Sequence, residues 1–407
     1  MSSRTKSLIA TFFILILDNL GYAVALPLFP VLLLNPPFFL LNPAVQEMAR
    51  HIYLALLIAA FPLGQFFGAL FFGELADRFG RKKILLWTIS GTLVGYLLSG
   101  LALTYSSYPL LFLSRLMTGF FAGNLAVCLA IIADMHFGKK SRSRNFGYVA
   151  ASLGISWMAG IWGGSALAHP ALLFWALALL SCLGWFILRV FFRETLVLKN
   201  NGHIHLIKGI HRILNVLENK QMRTLLLILA IWFFGFFIAV QWAIPISIDK
   251  FHAGAPLVLK LLLTLGLFWT FGSLLNAWVS GYFSSWKIEV WSLFCIGLLY
   301  FFGAVTDFFL YFALALLLSG LFAAFAASSN VSLISLAASQ EDQGKSLGIA
   351  AAIIALIQCL GPIFGGFIAG FSLETLFFSS SLFILCSFLT LLVYILRRKT
   401  KLLNNQN

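Results

Sequence analysis

Two ionisable side chains of the 407-residue chain stand inside long apolar stretches, where charge is costly and usually has a role. Asp18 lies in the stretch from Leu8 to Leu33, and Arg115 lies in the stretch over residues 109–134. A carboxyl group there can take up and release a proton, because burial and a nearby cation act on its ionisation in opposite directions. We expect Asp18 to carry a proton or bind a cationic ligand, or else to form a structural ion pair with Arg115, its expected partner.

Other residue types that perform chemistry form no recognisable cluster in the sequence. The chain has no GxxxxGK[ST] phosphate loop, so ATP-driven work is not expected. All five cysteines fall in apolar stretches without a CxxC pair, and His203 and His205 have no third metal ligand beside them. The sequence therefore predicts no enzyme, no metal site and no cofactor.

The elements that hold Asp18 and Arg115 must be membrane-spanning helices. The chain is 61% hydrophobic and 10% charged, with a mean hydropathy of +0.98, unlike soluble domains. About 20 apolar residues cross a bilayer as a helix, and the absence of period-two alternation argues against a barrel. We predict an all-α polytopic membrane protein. Its twelve spans lie near residues 7–33, 51–73, 83–104, 109–134, 145–168, 171–191, 222–246, 256–281, 288–306, 308–336, 346–371 and 374–396.

The net charge of +14 indicates how these helices are oriented. With the N-terminus inside, 23 of the 27 lysines and arginines fall on the cytoplasmic side, where positively charged loops are retained. The first apolar stretch has no signal-peptide cleavage site and is expected to remain as a helix. We predict a multi-pass protein of a bacterial inner membrane with both termini in the cytoplasm and no nucleic-acid partner.

An internal repeat divides the chain into two halves. Arg144-Asn-Phe-Gly147 and Lys345-Ser-Leu-Gly348 lie 201 residues apart. The same offset relates three pairs of glycines, which are Gly119 and Gly320, Gly160 and Gly361, and Gly164 and Gly365. Duplicated six-span halves around a central site are typical of secondary transporters that work by alternating access.

The repeat predicts the domain organisation. Six-helix bundles are expected over 1–196 and 222–398, with a cytoplasmic tail over 399–407. The linker over 197–221 carries apolar residues at helical intervals between basic ones, which predicts an amphipathic helix on the membrane surface.

A charged turn between spans two and three is the most specific motif of the chain. It runs Gly73-Glu-Leu-Ala-Asp77-Arg78-Phe-Gly80-Arg81-Lys82 and matches the GxLaDrxGrk signature of the major facilitator superfamily. Arg115 to Gly119 resembles the fourth-helix motif of that superfamily. Asp134 followed by Arg144 resembles its loop between spans four and five.

Two further segments resemble one subgroup, the twelve-span drug:proton antiporters that include tetracycline efflux pumps. Asp18 with Pro27 and Pro30 is similar to their first helix, and the segment from Arg193 to Leu196 is similar to a common ending of their sixth. The resemblance implies a fold of two pseudo-symmetric six-helix bundles. It also implies that the charged turn is a gate, in which Asp77 braces against span eleven near Ser346 when the cytoplasmic side is closed.

The chain departs from the subgroup in its second half and in span five. Gly160-Ile-Trp-Gly-Gly164 lacks the proline of the GPxxGG-type motif, which occurs instead in span eleven as Gly361-Pro362-Ile-Phe-Gly365-Gly366. The repeat of the charged turn has decayed to residues 281–287, without an acid. These departures argue against symmetrical gating by the second half.

Small and polar residues at membrane depth complete the candidate site. GxxxG steps let helices approach closely. The expected packing and hinge positions are Gly119, Gly123, Gly160, Gly164, Gly361, Pro362 and Gly365. Polar and aromatic side chains that either line a substrate cavity or join helices are Asn19, Gln65, Asn124, Trp157, Gln241, Trp242, Trp269, Asn276, Asn330 and Gln358.

These observations together predict a secondary active transporter. The first expectation is efflux of small amphiphilic molecules in exchange for protons, with the proton gradient as the energy source and a monomer in the lipid bilayer as the working form. The alternative is proton-coupled import of a nutrient or metabolite, which the altered span five favours. A membrane sensor or scaffold without transport activity is a third possibility.

Overall fold

A computed structural model describes residues 3–34, 40–135, 139–166, 169–195, 218–338, 343–369 and 372–404. The predicted amphipathic linker helix lies outside these residues, apart from its last few positions. The described residues form long helices and no strand. The helices are α1 Ser3–Ala23, α2 Ala25–Leu34, α3 Glu47–Phe79, α4 Arg81–Thr104, α5 Tyr108–Phe121, α6 Leu125–Met135, α7 Lys139–Ala166, α8 Pro170–Phe191, α9 Lys220–Asp249, α10 Ala255–Val279, α11 Ser285–Val305, α12 Phe309–Ala337, α13 Gln343–Ala369 and α14 Leu373–Asn404.

Most of these helices are long and apolar enough to cross a membrane. In the described part of the chain, 11 stretches meet that requirement, with α1 and α2 counted as one stretch and α5 and α6 as another. The helix α7 is not among them, because its first turns carry basic and polar residues and the rest is rich in glycine, alanine and serine. The predicted all-helical membrane architecture is confirmed.

Two of the stretches are interrupted near their middle. Val24 separates α1 from α2, and residues 122–124 separate α5 from α6. Pro27 has no backbone N–H, so the carbonyl of Ala23 loses its regular helical donor. Such interruptions leave backbone oxygens and short non-helical segments available to side chains of neighbouring helices.

The chain divides into two compact units. Unit 1 comprises residues 1–138, 152–209 and 339–360, and unit 2 comprises residues 139–151, 210–338 and 361–407. Within unit 1, α4 packs on α8 and α5, and α3 packs on α5. Within unit 2, α11 packs on α12 and α14, α9 packs on α14, and α10 packs on α12.

Glycines set the close packing of α3 on α5 in unit 1. A Cβ atom at Gly119 would overlap the backbone oxygen of Phe61, and one at Gly123 would overlap the backbone of Gly68. A second pair, Gly160 and Gly164, brings α7 against the interruption between α1 and α2. These glycines therefore pack helices closely, as their GxxxG spacing predicted.

Candidate functional site

Asp18 lies in α1 of unit 1 and is almost completely buried, with 5% of its surface exposed. Asn124 Nδ2 donates a hydrogen bond of 2.9 Å to Asp18 Oδ2. Asp18 Oδ1 and Asn124 Oδ1 are buried without a hydrogen-bond partner. Asn124 stands in the interruption between α5 and α6, which places its side chain beside α1. One carboxyl oxygen is therefore hydrogen-bonded, and the other has no partner among the described residues.

Arg115 in α5 is fully buried, yet it finds no carboxylate among the described residues. Its Nη2 donates a hydrogen bond of 2.9 Å to the backbone oxygen of Gly21, close to the end of α1. Its guanidinium carbon lies 4.7 Å from the ring centroid of Phe61, with Phe29 at 5.6 Å and Phe174 at 5.8 Å. Aromatic faces attract a guanidinium electrostatically, so three rings take the place of an acid.

The predicted ion pair between Asp18 and Arg115 is wrong. The two side chains are not within ion-pair distance, because each has a different partner on another turn. Arg115 precedes the interruption by more than one helical turn and reaches the carbonyl of Gly21, whereas Asn124 lies within the interruption and reaches Asp18. The positive and negative groups of this region are therefore held separately.

An aromatic cluster adjoins Asp18 on the next turn of α1. Tyr22 stacks on Phe61 with a centroid distance of 5.8 Å and lies 6.4 Å from the ring of Trp157. Tyr96 OH donates a hydrogen bond of 3.5 Å to the backbone oxygen of Leu17, the residue before Asp18. Sequence reasoning named Trp157 but missed both tyrosines, since a tyrosine in an aromatic-rich span has no distinguishing spacing. The cluster provides flat apolar surfaces next to a carboxyl group.

The charged turn joins α3 to α4 through Gly80. Its φ of 99° lies in the left-handed region that favours glycine. Arg81 Nη2 and Asp77 Oδ1 form an ion pair of 2.8 Å across one helical turn, and both side chains are largely buried. Arg78 lies over the ring of Phe79, 5.5 Å from its centroid. The predicted residues of the turn are thus positioned relative to one another by α3 and α4.

Glu194, which follows α8, caps the beginning of α4. Its Oε1 accepts a hydrogen bond of 3.0 Å from the backbone N–H of Arg81, and its Oε2 accepts one of 3.1 Å from that of Lys82. Lys82 Nζ donates to the backbone oxygen of Arg189 at 3.0 Å. A carboxylate at a helix N-terminus meets unpaired N–H groups and the positive end of the helix dipole. Sequence reasoning noted this segment only as a resemblance and gave Glu194 no contact.

The beginning of α13 packs beside the charged turn within unit 1. A Cβ atom at Gly348 would lie 3.3 Å from the backbone oxygen of Ala69 and 4.0 Å from Gly73. Ala69 and Ala126 form a buried cluster with Ala351 and Ala352 of α13. This packing brings span eleven to α3, as the expected brace requires. The specific contact of Asp77 near Ser346 stays a prediction.

The two remaining predicted gate residues are Asp134 and Arg144. Arg144 belongs to unit 2, where it lines a cleft of about 660 Å³ with Tyr148, Trp278 and Tyr282. The side chain of Asp134, near the end of α6, lies outside the described residues.

Two candidate cavity residues of unit 1 form hydrogen bonds between helices. Asn19 Nδ2 donates to the backbone oxygen of Leu153 at 2.9 Å, which joins α1 to α7. Gln65 Nε2 donates to the backbone oxygen of Ala122 at 3.3 Å, at the interruption after α5. Gln358 is partly buried. Asn19 and Gln65 therefore join helices, which is the predicted alternative to lining a substrate cavity.

Some candidate cavity residues of unit 2 pack against other helices or form hydrogen bonds, and Asn276 is buried without a hydrogen-bond partner. Trp269 Nε1 donates to the backbone oxygen of Ala150 at 2.8 Å. Gln241 and Trp242 pack against Gly361 and Gly365, where a Cβ atom would meet them. The side chain of Pro362 lies outside the described residues. Asn276 is fully buried, and neither of its side-chain polar atoms has a hydrogen-bond partner.

Glu289 is a second acid at depth, and the interpretation of Asp18 as the only one is wrong. It lies in the second turn of α11 and is fully buried. Asn330 Nδ2 of α12 donates to Glu289 Oε1 at 2.5 Å. The sequence hides this residue, because Glu289 follows Trp286 and Lys287, residue types that usually mark the end of a span. The apolar run that follows Glu289 in the sequence is the feature that indicates that this residue belongs to a span.

The described residues contain no group of three or more histidine, cysteine, aspartate or glutamate side chains that could hold a metal ion. The site that remains is built from Asp18, Asn124 and the adjoining aromatic rings in unit 1. It combines a buried carboxyl group with an apolar aromatic surface.

Comparisons with known proteins agree with this architecture. The family model described as Major Facilitator Superfamily matches residues 8–299 and 290–407. The class B tetracycline resistance protein of Escherichia coli is 30% identical over 235 residues, which cover 57% of this chain and 54% of that protein. The class G protein of Vibrio anguillarum is 33% identical over 200 residues, covering 47% of this chain and 46% of that protein. The chain thus matches about half the length of these curated relatives.

Solved structures extend the similarity to nearly the whole chain. The human organic anion transporter MFSD10 (TETRAN) superposes with a TM-score of 0.82 at 19% identity, covering 96% of this chain and 100% of that one. The proton:xylose symporter XylE superposes with a TM-score of 0.75 at 14% identity, covering 96% of each chain. At these identities the structural similarity shows the fold, and the family model shows the lineage. The chain belongs to the Major Facilitator Superfamily.

Proposed function

We propose that this transporter exports small amphiphilic molecules in exchange for protons, with Asp18 as the proton-carrying group. The observation that carries the proposal is the carboxyl group itself, which is 5% exposed. Among the described residues, Asn124 is its one hydrogen-bond partner and no cation lies within ion-pair distance. An uncompensated buried carboxylate is costly, and a proton removes that cost. The carboxyl group can therefore bind a proton in one state and release it when a ligand or water reaches it.

The surroundings of Asp18 suit an amphiphilic substrate. Tyr22, Phe61 and Trp157 supply aromatic surface within the same unit, and Asp18 Oδ1 offers one free acceptor. Apolar pockets with a few polar groups bind small molecules in this manner. Competition between the substrate and a proton at Asp18 links the two movements, because only one of them occupies the free oxygen at a time. The substrates of the tetracycline resistance proteins named above belong to the class of molecules that we propose.

The charged turn serves as the gate in this proposal. Asp77 and Arg81 form an ion pair, and Glu194 ties the beginning of α4 to the end of α8. Such a network has two discrete arrangements, formed and broken, as a switching element requires. We further propose both termini in the cytoplasm, a bacterial inner-membrane location and a monomer as the working form.

Proton-coupled import of a nutrient or metabolite is the second candidate. Its support is the span-five sequence without the antiporter proline, together with the fold similarity to a proton:xylose symporter. Exporter and importer share the same fold, so they differ only in the direction in which the proton and the substrate move.

Transport by inside-out vesicles tests the proposal. With a proton gradient established, we expect lipophilic cations or tetracyclines to release protons from wild-type vesicles. Asp18→Asn should abolish this release while the protein still folds, because the amide keeps the shape but cannot carry the proton. Asp18→Glu, which retains the carboxyl group, is the matched control and should keep measurable activity. Unchanged coupled transport by Asp18→Asn contradicts the role of Asp18, and substrate uptake with protons in right-side-out vesicles favours the importer.

A further inference from the structure

The acid–amide pair at Asp18 has a chemical counterpart in unit 2. In unit 1, Asn124 Nδ2 donates to Asp18 Oδ2, while Asp18 Oδ1 and Asn124 Oδ1 have no hydrogen-bond partner. In unit 2, Asn330 Nδ2 donates to Glu289 Oε1, while Glu289 Oε2 and Asn330 Oδ1 have none. All four residues are buried. The same arrangement of atoms thus occurs once in each unit.

The counterpart does not follow from the internal repeat. The offset of 201 residues that relates the two halves places Thr88 opposite Glu289 and Leu129 opposite Asn330. The two pairs therefore stand at different positions of the two bundles. A duplicated packing contact would be expected at matching positions, so inheritance from the duplication does not account for the pair at Glu289.

Charge balance at Glu289 requires a proton or another cation. No described side chain forms an ion pair with Glu289, and its single partner is a neutral amide. Among the described side chains, the ionisable groups on α11 and on the helices packed against it form no ion pair with Glu289. They are the exposed Lys287, the partly buried Cys295 and the fully buried Tyr300 of α11, Tyr311 at the far end of α12, and Glu374, Cys386, Tyr394 and Arg397 of α14. A bare carboxylate in such a place is strongly unfavourable.

Buried hydroxyl groups flank Asn330 on α12. Ser329 and Ser332 lie near Asn330 in sequence, and their hydroxyl groups are buried without a hydrogen-bond partner. A hydroxyl group can both donate and accept a hydrogen bond, so these two side chains add unused hydrogen-bonding capacity next to Asn330.

We infer that Glu289 is a second proton-binding site of this transporter, formed with Asn330 inside unit 2. A proton on Glu289 Oε2 neutralises the carboxylate and supplies a donor for Asn330 Oδ1, which has no hydrogen-bond partner. No bond other than the O–H bond forms or breaks, and the proton comes from and returns to water. The inference deepens the proposed function, on which its role in coupling rests, but proton binding itself can be tested without transport.

Infrared difference spectroscopy of the purified full-length transporter tests the site. The C=O stretch of protonated carboxyl groups is recorded while the pH is changed, in the absence of substrate. We expect Glu289→Gln to remove one buried-carboxyl signal that Asp18→Asn leaves in place. Glu289→Asp should keep a signal at a shifted frequency, and Asn330→Ala should shift the wild-type signal because the amide donor is lost. Glu218→Gln, at an exposed acid outside the spans, is the matched control and should leave the buried signals unchanged.

The outcomes separate this inference from the proposed function. Wild-type and Glu289→Gln spectra that coincide over the whole pH range overturn the second site, as does a Glu289 signal that responds to sodium ions and not to pH. If Glu289→Gln fails to fold, Asn330→Ala tests the site instead. A shifted buried-carboxyl signal then supports the site, and an unchanged signal overturns it. Vesicles that release no protons with any substrate contradict the proposed function, whereas the spectra still report on Glu289.

Discussion

Asp18 and Arg115 show at the scale of single residues how a buried charge can be accommodated without an ion pair. Asp18 has one amide donor, and Arg115 has a backbone oxygen and three aromatic rings. Arg115 is held without the acid, although its Nε and Nη1 are buried without a hydrogen-bond partner. Asp18 can therefore change its protonation state without breaking a structural ion pair. This independence suits a group that must bind and release protons in every cycle.

The aromatic environment of Arg115 predicts that lysine cannot replace it. A guanidinium plane lies flat on rings and also donates to Gly21, whereas an ammonium group is compact and strongly hydrated. We expect Arg115→Lys to lower the free energy of unfolding by about 1–2 kcal/mol, as estimated for desolvated cation–π contacts. Thermal unfolding in detergent measures the change. Arg223→Lys, at an exposed arginine, is the control, and equal stability of the two variants would contradict the role of the rings.

Some of these residue-level features could be predicted from the sequence, and others could not. Asp18 and Arg115 stood out because ionisable residues are rare in apolar stretches. The partner of Asp18 could not be predicted, because Asn124 becomes its neighbour only through a non-helical interruption that hydropathy does not reveal. Glu289 was missed because residues near the end of a span resemble interfacial ones until their burial is known.

At the scale of helices, unit 1 depends on glycines where α3 meets α5. Gly119 lies against the backbone of Phe61, which cannot rotate away as a side chain could. Gly163, in α7, is different, since a Cβ atom there would lie 3.7 Å from one methyl group of Leu173. The two positions therefore allow the same substitution to be compared in a tight and in an open environment.

We expect Gly119→Ala to destabilise the protein by about 1–3 kcal/mol, because the added methyl group forces α3 and α5 apart. Gly163→Ala should be neutral or stabilise by up to about 1 kcal/mol, since alanine favours a helix more than glycine does. Folded yield and thermal unfolding report both effects. Similar behaviour of the two variants would show that the packing of α3 on α5 is more tolerant than the structure indicates.

Hydropathy predicted the positions of the helices far better than it predicted their ends and their contacts. The stretch that became α5 and α6 reads as one continuous apolar span, since Ala122 and Gly123 do not lower its hydropathy. The cap of α4 by Glu194 joins residues more than a hundred positions apart, and single-sequence patterns carry no signal for such a contact. The charged turn was predicted well because its glycine and its charges are local requirements.

For the whole molecule, the family assignment confirms the resemblance based on the charged turn and the first helix. The matched family model covers nearly the whole chain, and the fold is that of transporters, which are not enzymes. The prediction that the chain is not an enzyme is thereby confirmed. Its orientation in the membrane stays a prediction that follows from the distribution of basic residues.

Cysteine labelling tests that orientation. Lys83, in the first turn of α4, and His252, between α9 and α10, are both exposed. With native cysteines replaced, we expect a membrane-impermeant maleimide to label Lys83→Cys only from the cytoplasmic side and His252→Cys only from the outside. The reverse pattern would invert the proposed topology, and with it the direction assigned to transport.

The separation of Asp18 from Arg115 also has an electrical consequence. When Asp18 holds a proton, the buried interior of unit 1 carries the full positive charge of Arg115, and when the proton leaves, the two charges cancel. In the proposed cycle these two states face opposite sides of the bilayer in turn. A transmembrane voltage acts on each elementary charge with about 2.3 kcal/mol per 100 mV. For an uncharged substrate, membrane voltage as well as the pH difference therefore contributes to the driving force of the proposed transport, whereas the exchange of one proton for one monovalent cation moves no net charge.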